Sequence, residues 1–208
     1  MAEISLSLAT LFERTFGYKT LAFEPKFEKV KGGNERKEQG VGGSAYYATD
    51  PSGVEYYMPV TLIYPDSSGG DASANNSVRL KRWNLPFPVI SVECKKTIIE
   101  TALTGRNGTV KELIGGQDYV ITIKGFLVGV NNEFPEEDVS TLRSIYEQNI
   151  ALSIECPLTD IFLLRPNRNG SDKVVMSDLK LPVVTGVKNI RAYELKLLSD
   201  EAFNLITI

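Results

Sequence analysis

Apolar and polar residues alternate in several short runs along this chain, a pattern that predicts strands rather than long helices. The runs that predict strands lie at residues 88–102, which begin with clear alternation, and at 118–130, 151–158, 173–184 and 190–198. In the last run, Tyr193 and Leu195 alternate with Ala192 and Glu194. Because alternation puts one apolar face on each strand, we expect these runs to form an antiparallel barrel or sandwich around one core.

The first residues instead repeat apolar side chains at helical spacing. Leu8, Leu11, Phe12 and Phe16 lie at positions i, i+3, i+4 and i+8, and Gly17 follows them. We predict an N-terminal helix here. It either packs on its own core or docks on a neighbouring subunit, so Leu8 and Phe12 are candidate partner-binding residues.

Residues 135–149 predict a second helix. Pro135 suits its first turn, and the acidic residues 136–138 suit the positive end of the helix dipole. Val139, Leu142 and Tyr146 form its predicted apolar stripe. The predicted fold class is therefore α+β, with a β-rich core, an N-terminal helix and one helix that begins with acidic residues.

Residues 44–64 predict a hairpin, because tyrosine-rich runs flank the turn sequence DPSG. Tyr46 and Tyr57 lie on its two arms. Cross-strand packing of these rings is the favoured interpretation, and an edge that pairs with another chain is the alternative.

Two polar, glycine-containing segments lie on either side of the hairpin, at residues 31–43 and 66–77. They predict loops, and the second has too few apolar residues to be ordered in the free protein. We therefore divide the chain into residues 1–80, which hold the N-terminal helical segment, the hairpin and the polar loops, and residues 81–208, which hold the core.

The chain contains no histidine, which removes the commonest general base and the commonest transition-metal ligand. A Ser-His-Asp triad and a Cys-His dyad within the chain are therefore excluded. Gly105 and Gly108 lack the lysine and hydroxyl spacing of a phosphate loop, and they predict a turn or an interface loop. We expect no enzyme activity, no cofactor and no metal site.

The formal net charge of −3 does not suit a general nucleic-acid binder. No apolar run is long enough to span a membrane, and the first residues do not resemble a signal peptide. We therefore expect synthesis in the cytosol.

Cys94 follows Ile90 and Val92 in phase, and Cys156 follows Leu152 and Ile154 in phase. This predicts two buried core cysteines, while a disulfide between neighbouring strands stays open.

Arg79, Lys81 and Arg82 precede Trp83. A solvated basic face with a half-buried Trp83 is the favoured interpretation, and a partner-docking patch is the alternative. Arg79, Arg82 and Trp83 are candidate partner-binding residues, and Arg106 and Lys111 in the glycine-rich turn region complete the set.

Several short stretches of the C-terminal part share a pattern with known sequences. They are residues 108–112 (GTVKE), 118–119 (DY), Ile121, Gly125, Pro135 and 198–200 (LSD). In these features, about residues 85–200 resemble an uncharacterised family encoded in prophage and contractile-injection-system tail clusters. The resemblance implies a structural tail or baseplate component without enzyme activity, and it supplies no site residue.

We therefore expect a structural subunit that binds other tail or baseplate proteins and becomes part of a phage tail or injection-system particle. Repeated heterologous contacts predict a homo-oligomeric ring. A carbohydrate- or peptidoglycan-binding module is the alternative, with Trp83 and the hairpin tyrosines stacked on sugar rings. An enzyme with paired carboxylates is the third hypothesis, and no such pair stands out in the sequence.

Overall fold

The structure is a computed structural model that describes most of the chain in separate stretches. The described residues are 8–17, 39–40, 42–49, 55–66, 79–105, 107–129, 133–163, 172–184 and 188–200. The helices are α1 (Leu8–Phe16), α2 (Glu136–Glu147) and α3 (Pro157–Leu163). The strands are β1 (Tyr47–Thr49), β2 (Glu55–Tyr57), β3 (Thr61–Pro65), β4 (Leu80–Asn84), β5 (Val89–Glu93), β6 (Lys96–Ala102), β7 (Thr109–Gly116), β8 (Val120–Val128), β9 (Leu152–Glu155), β10 (Lys173–Lys180) and β11 (Ile190–Ser199).

Seven strands form one curled antiparallel sheet, a half-barrel, in the order β4-β3-β9-β10-β11-β8-β5. The predicted α+β class with a β-rich core is confirmed. β3 pairs with β4 on one side and β9 on the other, so residues before position 80 contribute to this sheet. The division at residues 80 and 81 stays a prediction.

The core follows from the alternation along the central strands β8 and β11. Ile121 and Ile123 pair with Leu197 and Leu195, and all four side chains are buried in the main core cluster. Each strand is therefore anchored by every second residue, as the sequence pattern predicts.

The opposite face of β8 and β11 carries a second, smaller cluster. Leu11 of α1 is buried there against Phe126 and Ala192, and the rings of Phe16 and Phe126 lie 5.7 Å apart. Gly17 ends α1 with a positive φ of 73°, as predicted. At Leu11 and Phe16, α1 therefore packs on its own sheet.

α2 confirms the predicted second helix but corrects its buried face. Leu142 and Ile145 are buried, whereas Tyr146, which the sequence placed in the apolar stripe, is exposed. Ile145, three residues after Leu142, lies on the same side of the helix and takes the buried position that the sequence assigned to Tyr146. Pro135 caps the helix instead of lying in its first turn.

α3 was not predicted, because residues 151–158 read as one strand. The strand β9 ends at Glu155, and Pro157 begins a helix in which the Thr159 hydroxyl donates to the Cys156 carbonyl at 3.0 Å. Proline suits a first helical turn because its missing N–H would have no partner there.

The predicted loop at residues 31–43 is described only at its end. There Gly40 and Gly42 pack on α3, and a Cβ on Gly42 would lie 2.5 Å from Oδ2 of Asp160. This described end is therefore packed against the core and not free. Residues 31–38 and 41 lie outside the described residues, as does nearly all of the predicted loop at 66–77. Within the described stretches, no helix has both the length and the apolar character needed to span a membrane.

Candidate protein interaction site

β6 and β7 form a two-stranded ribbon that continues β5 and β8 past the seven-stranded sheet. We call β6, β7 and their connecting turn the arm. The sequence predicted one strand over residues 88–102, but the chain breaks it at Cys94 and Lys95. The Gln117 N–H donates to the Lys95 carbonyl at 2.9 Å, which keeps the ribbon continuous across this break.

The turn of the arm depends on two glycines. Gly105 and Gly108 have positive φ angles of 79° and 95°, a region that glycine adopts without the steric cost of a Cβ atom. The predicted turn is confirmed at these residues. β7, which begins directly after Gly108, was not recognised as a strand.

The arm exposes large apolar side chains that the core does not cover. Ile98, Ile99, Leu103, Leu113 and Ile114 are each between 47% and 63% exposed. All seven residues of β6 are exposed. An isolated two-stranded hairpin is only marginally stable in water, and clustered exposed apolar side chains mark interaction surfaces.

The pairing register distributes these side chains over both faces of the arm. Ile98 lies opposite Leu113, and Ile99 lies opposite Glu112. Neighbouring residues of a strand point to opposite faces, so Ile98 and Ile99 are on different sides. Ile114 falls at a register shift between Thr97 and Ile98, which is a β-bulge.

The charged residues of the arm are also exposed. Lys111 lies opposite Glu100 with Nζ and Oε1 3.5 Å apart, and at the base Lys95 pairs with Glu93 at 3.0 Å. Exposed pairs of this kind contribute at most about 1 kcal/mol. These ion pairs add little to the stability of the arm, but they place positive and negative side chains next to each other on its surface.

A crevice lies where the arm leaves the core. Cys94, Lys96 and Gly116 line it on the ribbon side, and Tyr119 and Phe162 line it on the core side with ring centroids 5.7 Å apart. A Cβ on Gly116 would meet no atom within 4 Å. Beside Gly116, the crevice is therefore not filled by the described part of the chain.

The region from the end of β4 through β11 has a counterpart in known proteins. Residues 84–207, more than half of the chain, match the family described as Domain of unknown function (DUF6046). The chain belongs to this family. No curated protein matches the chain.

The DUF6046 region contains β5 to β11 and therefore the whole arm. The family description gives no function, so the resemblance to tail proteins stays a prediction. Of the predicted partner-binding residues, Arg106 and Lys111 fall in the DUF6046 region. Lys111 lies on the arm, and Arg106 lies outside the described residues.

The hairpin tyrosines precede the DUF6046 region. Tyr46 and Tyr57 stack with ring centroids 6.2 Å apart and nearly parallel planes, and Tyr47 lies opposite Tyr57 in the β1–β2 pairing. The favoured prediction of cross-strand aromatic packing is confirmed. Tyr57 is nevertheless half exposed, and its role in partner binding stays a prediction.

The basic cluster also precedes the DUF6046 region. Lys81 pairs with Asp66 at 2.8 Å, and Arg82 pairs with Glu155. Trp83 is partly buried against the main core, as the favoured interpretation expected. Arg79 is exposed. Lys81, Arg82 and Trp83 therefore all have contacts within the chain. A docking role for the basic cluster stays a prediction.

Leu8 and Phe12 lie on α1, but their side chains lie outside the described part of the structure. Among the described residues, no hydrogen bond, ion pair or ring contact joins the predicted partner-binding residues of the hairpin, the basic cluster and the arm into one surface. Among the described residues, no group of three or more aspartate, glutamate or cysteine side chains could hold a metal ion.

The two cysteines differ in environment. Cys156 is buried as predicted, and burial raises the pKa of its thiol. Cys94 is exposed, so the prediction that it is a core residue is wrong. Ile90 and Val92 still pack against the core, but Cys94 follows the end of β5, where the ribbon leaves the sheet. Both cysteines are free thiols.

Sequence reasoning missed the apolar residues of the arm as site residues. The signal was present: apolar residues on both sides of a turn with two glycines predict a hairpin. What the pattern did not reveal is that no other element of the described structure covers this hairpin.

Proposed function

We propose that this chain is a structural subunit that binds neighbouring protein chains through the arm, within a phage-like tail or a contractile-injection-system baseplate. The exposed apolar side chains of β6 and β7 carry the interaction part of this proposal. A partner that covers them removes apolar surface from water, which is the main driving force of protein association.

The position within a tail is supported by the sequence resemblance. Its residues 108–112 fall at the turn of the arm and on β7, and residues 118–119 fall between the arm and β8. One stretch of the resemblance therefore lies on the arm, while Ile121, Gly125, Pro135 and residues 198–200 lie elsewhere in the fold.

The proposal involves neither a catalytic step nor a cofactor. The chain is made in the cytosol and enters the particle on assembly, and repeated contacts between copies and tail proteins close into a ring. No observation favours the carbohydrate-binding alternative, since Trp83 packs against the core.

The test mixes the purified chain with the tube, sheath and spike proteins encoded beside it and measures binding by light scattering after size-exclusion chromatography. The double variant Leu113→Asp/Ile114→Asp should weaken binding by about a hundredfold, since each side chain loses about 1–2 kcal/mol of burial. Val183→Asp is the matched control, because Val183 is 76% exposed and lies outside the arm. If no neighbour binds, or if the double variant binds as tightly as the Val183→Asp control, the proposal is wrong.

A further inference from the structure

The outer edge of β6 is open to another strand. In the described part of the chain, β6 pairs with β7 alone, so its second edge presents N–H and C=O groups that no other strand covers. Such an edge is a template for an added strand.

We infer that β6 pairs with β6 of a second copy of this chain, antiparallel and with Ile98 opposite Ile98 of the second copy. This inference rests on the proposed function and names one partner of the arm. The pairing would join the two arms into one four-stranded sheet.

Symmetry restricts the possible registers. Two identical antiparallel strands that lie side by side are related by a two-fold axis perpendicular to the sheet, and this axis keeps each residue on the same face in both copies. Residues directly opposite each other also share a face. Both conditions hold only when one residue lies on the axis and faces its own copy.

With Ile98 on the axis, the charges of β6 are complementary. Lys96 faces Glu100 of the second copy, and this pair occurs twice. Within each arm, Glu100 already faces Lys111. Lys96 of the second copy, Glu100 and Lys111 would then lie side by side on three neighbouring strands, with charges that alternate in sign. Among the described residues, Lys96 makes no ion pair, which leaves it available for Glu100 of the second copy.

The same register places apolar residues at the centre. Ile98 lies opposite Leu113 within its own arm, so two isoleucines and two leucines form a continuous row across the four strands on one face. Cross-strand apolar pairs of this kind stabilise sheets.

Neighbouring registers lose this complementarity. With Thr97 on the axis, Lys96 would face Ile98 of the second copy, and with Ile99 on the axis, Glu100 would face Ile98 of the second copy. Both leave the charged side chains without a partner of opposite sign.

Three registers of the outer edge of β7 are also less suitable. A register centred on Lys111 or on Glu112 would place two like charges opposite each other, which is destabilising. One centred on Leu113 would fall on the bulge of β7, where the strand is irregular.

The test is sedimentation velocity of the full chain over a range of concentrations. The unchanged chain should form a dimer. Lys96→Glu and Glu100→Lys should each raise the dimer dissociation constant about tenfold or more, because two opposite-charge pairs become two like-charge pairs. An equimolar mixture of the two variants should dimerise again, since positions 96 and 100 are then both acidic in one copy and both basic in the other.

Lys188→Glu is the control for the change in net charge, because Lys188 is exposed and lies outside the arm. Circular dichroism checks that each variant folds. A monomeric unchanged chain, or a mixture that stays monomeric, would overturn the inference. If Lys96→Glu or Glu100→Lys loses the dimer but still binds tail proteins, the inference stands, and the tail proteins bind a surface other than the outer edge of β6. A monomeric chain that still binds tail proteins through Leu113 and Ile114 overturns only the dimer.

Discussion

Gly125 lies beneath one of the largest buried side chains of the protein. It sits on β8 opposite Tyr193 of β11, and Tyr193 is fully buried. The Tyr193 hydroxyl donates to the Pro86 carbonyl at 2.9 Å. Burial raises the pKa of Tyr193 well above its usual value, with a smaller contribution from Tyr56, so the hydroxyl remains a donor. This contact ties the β4–β5 connection to β11.

The substitution Gly125→Ala tests this arrangement. A Cβ at this position would lie 2.6 Å from Cζ of Tyr193 and 2.8 Å from the Phe87 carbonyl, both far inside normal contact distance. Overpacking of this kind costs about 1–3 kcal/mol, and a displaced ring loses a hydrogen bond worth about 1 kcal/mol. We expect the free energy of unfolding to fall by about 3 kcal/mol.

Urea denaturation followed by circular dichroism and by the fluorescence of the single tryptophan measures this change. Gly116→Ala is the matched control, since its Cβ would meet no atom within 4 Å, and its effect should stay below about 1 kcal/mol.

A double-mutant cycle makes the test more specific. Tyr193→Phe removes the atom nearest to the added methyl group, so Gly125→Ala/Tyr193→Phe should lose less than the sum of the two single changes. A loss below about 0.5 kcal/mol for Gly125→Ala, or strict additivity in the cycle, would refute the packing argument.

The cysteines and the tryptophan provide two further tests. Cys94 should react with a thiol reagent in the native protein, while Cys156 should react only on unfolding, since burial both blocks access and raises the pKa of its thiol; equal rates in the native protein would contradict this. Trp83→Ala should lower the free energy of unfolding by about 2 kcal/mol without any effect on a glycan array, because the indole packs against the core; an array signal that this variant abolishes would instead favour the carbohydrate-binding alternative.

Most elements of the core were predictable because the spacing of apolar residues and the position of glycines along a short stretch of sequence indicate them. The alternation in β8 and β11 and the glycine after α1 depend on neighbours within a few residues. α3 was missed because a strand and a helix share the short apolar run around Cys156, and only Pro157 marks the boundary.

The candidate site was less predictable than the fold. The sequence placed Lys111 in the region of the glycine-rich turn, whereas the structure places it on the strand β7. Ile98 and Leu113 were not singled out, because an apolar residue in a strand is usually a core residue. Their exposure depends on the absence of a covering element in the described structure.

The amino-acid sequence by itself determined the fold class, the turn at Gly105 and Gly108 and the exclusion of histidine chemistry, since each depends on residue type and short-range spacing. The tertiary structure decided which apolar strands are covered. β5 and β6 both contain apolar residues, yet β5 pairs within the seven-stranded sheet and β6 extends past it. Burial depends on what folds against a strand, and residues distant in sequence supply that surface.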